Sequence, residues 1–101
     1  MIQRLLSWGL VIESRYDELR HIALDQAADG TQRSAAVQQL GESRTREAAE
    51  ALIELGTRPG EGELLLRAAG AGLAQIQAGG VSVSEWDLRD LTASAADAFF
   101  K

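Results

Sequence analysis

Pro59 is the only proline in a chain of 101 residues, and β-branched runs are nearly absent from it. Proline breaks a helix by removing a backbone donor and clashing with the preceding turn, while β-branched side chains favour strands. A chain with one such break, in Arg58-Pro59-Gly60, has little to stop it forming helices along its whole length. Alanine, leucine and glycine recur throughout, and aromatic residues make up only 5% of the chain. Small side chains of this kind suit closely packed helices better than a sheet core. The fold class expected is all-α.

Start and stop signals divide the sequence into about six helices. The first runs from Ile2 to Ile12. A second is opened by Ser14, with Asp17 three positions on, and ends near Ala28. Asp29 with Gln32 repeats the capping pattern for a third, which turns Ala36, Val37 and Leu40 inward and stops at Gly41. A fourth extends from about Arg46 to Gly56, carrying Ala48, Ala49, Leu52, Ile53 and Leu55. The fifth, Glu63 to Ala78, opens with an acid at its positive end and closes at Gly79-Gly80. Gly70 and Gly72 inside it cost helix propensity, which implies close approach of a neighbouring backbone. Ser84 with Asp87 opens a last helix that continues close to the C-terminus.

Ala35, Ala36 and Leu40 recur as Ala68, Ala69 and Leu73, each pair of positions 33 residues apart. Fixed periods of this size are the mark of stacked hairpins. The stretch from Leu19 to Gly41, with Asp29, Arg33, Ala35, Ala36, Leu40 and Gly41 at recurring places, resembles the bacterial HEAT-like repeats of the phycobilisome-lyase type. The resemblance extends over about residues 17 to 78, although Gly70 and Ala74 stand where larger residues are expected and the last hairpin diverges. It implies one HEAT-like domain over residues 1–101, a short α-solenoid of about three stacked antiparallel hairpins. It also implies a scaffold that binds proteins along a helical face. Some members act on bilin chromophores, but no chromophore-handling residue carries over to this chain.

Ten basic and fifteen acidic side chains leave a net charge of -5, with one lysine at the last position. Binding to a phosphate backbone rests on clustered cations, so nucleic acid is a poor expectation and a protein with a basic surface a better one. Without cysteine there is no disulfide framework, thiolate metal site or cysteine nucleophile. The compartment stays open on that count, with cytoplasm the default. The apolar run Ile2 to Ile12 is interrupted by Arg4 and is too short to span a membrane, so it reads as a core helix.

Candidate chemistry is sparse. His21 and Asp25, four apart, could orient an imidazole or share a metal, but no third ligand can be named and a polar surface pair is the simpler reading. Neither an enzyme nor a cofactor is expected. Arg44, Arg46 and Arg58 bracket the fourth helix and read as surface charge neutralised by Glu47, Glu50 and Glu54. On a helical wheel the last helix sets Asp87, Asp90, Ser94 and Asp97 in one acidic stripe, with Trp86 and Phe100 on the edge beyond. Those six residues are the expected partner-binding set, since an aromatic beside carboxylates suits an interface with a basic partner. A solvated acidic face with Asp87 engaged in capping is the plainer alternative.

The function expected is therefore a non-enzymatic protein-binding module. An immunity or antitoxin protein blocking a basic toxin is its sharper form. A self-assembling subunit or an adaptor in a larger complex is the alternative, and a lyase-like accessory protein ranks below both.

Overall fold

A computed structural model describes residues 16–101. The expected first helix and the Ser14 cap lie outside the described residues. What is described is all-helical, as expected, with no strand. The chain is helical over 16–24 (α1), then forms α2 (Gly30–Glu42), α3 (Arg46–Gly56), α4 (Glu63–Ala78), α5 (Glu85–Leu88) and α6 (Ala93–Phe100).

Three boundaries and one cap differ from expectation. Helix α1 ends at 24 and not near Ala28, because the Asp25 carboxylate accepts the Ala27 N–H at 2.9 Å and draws the backbone into a turn. Asp29 occupies the N-cap position of α2, but its side chain makes no capping bond. Helix α2 passes through Gly41 to Glu42, and Gly41 is used for packing instead of termination. The expected C-terminal helix is two helices, since Thr92 donates its N–H to the Gly56 carbonyl at 2.9 Å and its hydroxyl accepts the Ala95 N–H, capping a new helix that starts at Ala93.

Directions follow from which residues meet. Arg20 on α1 reaches Glu54 on α3, and four residues further on Arg58, just past the end of α3, donates to the carbonyl of Leu24 at the end of α1, so α1 and α3 run parallel. The N-terminal ends of α2 and α4 line one cleft and their C-terminal ends another, so these two are also parallel. A side chain at Gly72 would meet Leu52 and one at Gly56 would meet Leu91 and Ala69, which sets α3 antiparallel to α4. Arg67 pairs with Asp97 while Gly70 lies against Ala95, so α6 is antiparallel to α4.

The core holds Leu40, Leu52, Leu55, Leu73 and Ile76, all fully buried. Each contributes about 1.5–3 kcal/mol by leaving water. Ala36, Ala48, Ala49, Ala51, Ala69 and Ala95 are buried between them. Their short side chains bring helix axes close, which is how a core poor in aromatics is filled. Gly80, at φ +103°, turns the chain out of α4 in a conformation that a Cβ would disfavour.

Candidate interaction surfaces

The six residues expected to form one surface are divided by the break between α5 and α6. Trp86 falls within α5 and is described there only by its backbone. Asp87 faces inward along the molecule: the Arg46 guanidinium donates to both of its carboxylate oxygens at 2.8 Å, and the Ser84 backbone N–H adds a bond at 2.9 Å. Arg46 above all, then the Ser84 amide, holds the Asp87 carboxyl well below the usual aspartate range. The same bond raises the Arg46 guanidinium above its ordinary value. Asp90 is exposed in the turn after α5, and Ser94 is half-buried on α6. Asp97 pairs with Arg67 at 3.2 Å and with Lys101 at 3.7 Å. Phe100 is 72% exposed and stands edge-on to the buried Phe99.

Asp87, Asp90 and Asp97 therefore do not lie along one helix. The wheel that aligned them assumed one unbroken helix, and Thr92 interrupts it.

Exposed acids gather elsewhere. Helices α1 and α3 lie side by side and expose Asp17, Glu18, Glu47 and Glu50, with Glu54 half-exposed, against the guanidiniums of Arg20 and Arg46. Arg20 is engaged with Glu54, whose hydrogen bond and charge raise its pKa, with Asp17 and Glu50 adding to the same field. Arg46 is drawn to Asp87 and, at 3.4 Å, to Glu50. Among the described residues Glu47 has no such partner. The sequence-level grouping of Arg44 with Arg46 and Arg58 separates in the fold: Arg58 is tied to Leu24 and Glu54, whereas Arg44 lies over Gly79 at the end of α4.

The opposite side, formed by α2 and α4, has a different character. From Thr31 to Gln39, the outward residues of α2 are threonine, serine, alanine and glutamine. Along α4 from residue 68 to 78 there is no charged residue at all. Of the two charged residues in α2, Glu42 is exposed at its end, while Arg33 is buried, donating to the Ala23 carbonyl and to the Glu61 carboxylate. That ion pair joins the end of α1, the start of α2 and the loop before α4, and Gln26 completes it with a bond to Glu61. No single motif announces it, because its parts lie 28 residues apart.

Comparison with family models, curated proteins and solved structures gives no match. The chemistry of these surfaces stands on its own geometry. Asp25, held by its turn, is not presented from the same helix as the exposed His21. Among the described residues no group of three or more His, Cys, Asp or Glu side chains could hold a metal ion, and no helix is long and apolar enough to cross a membrane.

Proposed function

We propose that this chain is a non-enzymatic protein-binding module of HEAT-like build, which engages a partner through the acidic side formed by α1 and α3. The observation that carries the reading is the segregation of charge: five carboxylates and two guanidiniums on α1 and α3, against α2 and α4, whose exposed carboxylates are confined to Glu42 and Glu63 at the helix ends, with Arg67 half-exposed. An uneven field steers a basic partner to one side and orients it before contact.

The HEAT-like reading draws support from two parallel helix pairs at nearly the same offset. Arg20 meets Glu54 and Leu24 meets Arg58, both 34 residues apart. Gly30 and Glu63, the first residues of α2 and α4, are 33 apart, matching the spacing of the alanine and leucine repeat. Hairpins stacked by translation produce such offsets. Blocking the basic cleft of a toxic effector is the specific form of binding that an acidic module this small suits, by analogy of charge and size.

The test is affinity capture from the native source with the tagged full chain, comparing wild type with Glu47→Lys/Glu50→Lys and with Asp90→Asn/Phe100→Ala. The expected result is one basic protein at near-equal stoichiometry, lost in the α3 variant, retained in the C-terminal variant and weakened by added salt. Capture unaffected by the α3 variant but lost in the C-terminal one would move the binding surface to α6.

A further inference from the structure

We infer that Asp87 is a positioning residue for the acidic side: by clasping Arg46 at two points it leaves Glu50 open to a basic partner, without touching that partner itself. This rests on the binding reading above and adds to it the residue that keeps the surface negative.

The supply of cations on α1 and α3 is small. Arg20 donates to Glu54 from two nitrogens, and Arg58 makes a longer contact with the same carboxylate, so Glu54 is engaged within the chain. Arg46 is the remaining guanidinium on these two helices, and two carboxylates lie within its reach. Glu50, one turn along α3, is the one that an incoming cation can use: its side chain is 64% exposed, and its charge is felt by Arg20 on α1, which sets it towards the seam between the two helices. The Asp87 side chain is only 17% exposed, and both of its oxygens are occupied.

Geometry decides which carboxylate holds the arginine. Nη1 and Nη2 of Arg46 donate to the two Asp87 oxygens at 2.8 Å, the fork that matches a planar guanidinium, and Nη1 also donates to the Ser82 carbonyl at 3.2 Å. Glu50 receives only the Nε–H, at 3.4 Å, near the limit of a hydrogen bond. Asp87 is itself fixed by the Ser84 backbone N–H at 2.9 Å and the Ser84 hydroxyl at 3.0 Å. A carboxylate held in this way is ready for the fork, whereas the Glu50 side chain must give up rotamer freedom to pair. The clasp wins, and Glu50 keeps its charge for a partner.

Removal of the Asp87 charge reverses the outcome. Two guanidinium nitrogens lose their acceptor, and the carboxylate already in reach is Glu50, four residues along the same helix. Arg46 then neutralises the carboxylate at the seam and adds positive charge where a basic partner approaches. The sequence pattern put Asp87 among the partner contacts; its place in the fold gives it an indirect role.

Calorimetric titration of the full chain with a decalysine peptide at about 0.05 M salt tests it. Asp87→Asn is expected to weaken binding about two- to fivefold, the strength of one exposed ion pair. Arg46→Gln is expected to strengthen it, and the double variant to match Arg46→Gln, because Asp87 acts only through Arg46. A merely structural clasp would weaken binding when broken from either end, and a simple effect of net charge would return the double variant to the wild-type value; either outcome overturns the inference. The relocation of Arg46 is read without any ligand from its Nε–H resonance, which should respond to Glu50→Gln more strongly in the Asp87→Asn background than in wild type. Decalysine binding by wild type with no such relocation overturns this inference alone. Relocation with no decalysine binding overturns the acidic-side reading and this inference with it.

Discussion

The backbone of Ala95 occupies the space that a side chain at Gly70 would fill. A Cβ there would sit 2.8 Å from the Ala95 carbonyl carbon and 3.1 Å from its Cα, and closer still to the carbonyl oxygen. Helices α4 and α6 meet at this point because residue 70 has no side chain. Glycine to alanine inside a helix ordinarily gains about 1 kcal/mol. Here the obstacle is backbone, which cannot rotate away, so overpacking of about 1–3 kcal/mol or more outweighs the gain. Gly70→Ala should lower the melting temperature by several degrees in a thermal scan. Gly72→Ala, whose new methyl meets the end of the Leu52 side chain, should be better tolerated.

The buried Arg33–Glu61 pair is expected to matter far more than the exposed Arg20–Glu54 pair. Side-chain exposure is 11% and 2% in the first and 54% and 39% in the second. Removing one partner of a buried pair strands the other charge, at a cost of about 3–5 kcal/mol, whereas exposed pairs contribute about 0–1 kcal/mol. Denaturant titration of Glu61→Gln, Arg33→Met and the double variant should give a double-mutant loss well below the sum of the singles. An additive result would mean that the two residues do not interact as a pair.

Asp87 supplies a pH dependence with a definite sign. Its folded pKa is held below the ordinary 3.8 by Arg46 and the Ser84 amide. The stabilisation is therefore complete above about pH 4 and is lost as pH falls through the depressed folded value. Solvent screening at the half-exposed Arg46 limits it to about 1 kcal/mol. Asp87→Asn should be less stable than wild type at neutral pH and converge with it in strong acid, as read from urea midpoints across the pH range.

Thr45 caps α3 by accepting the Ala48 N–H at 3.2 Å. Thr45→Ala should cost about 1 kcal/mol, and Thr45→Ser should recover most of it, since the hydroxyl and not the methyl makes the bond. Equal losses in both variants would point to packing of the methyl group instead.

Much of the helical plan was legible in the residues. The spans of α3 and α4 match the expected Arg46 to Gly56 and Glu63 to Ala78, because glycine and proline punctuation and apolar spacing act over a few residues. The close approach expected at Gly70 and Gly72 is present for the same reason: an unfavourable residue inside a good helix needs a cause. The candidate surface was read less well. Asp87 looked like part of an exposed stripe, but its partner Arg46 lies 41 residues away, beyond the reach of a helical wheel. The break at Thr92 depended on a bond to Gly56, which local pattern does not contain.

The sequence by itself determined that this chain is helical, where most of its helices begin and end, and that its charge is negative. Those properties come from backbone preference and composition, which each residue carries with it. Only the tertiary structure decided where the exposed carboxylates gather, which arginines are engaged, and that Leu64 stands beside an open cleft. Those depend on contacts between residues tens of positions apart, where parallel packing of α1 with α3 and of α2 with α4 brings side chains together that no short-range rule relates.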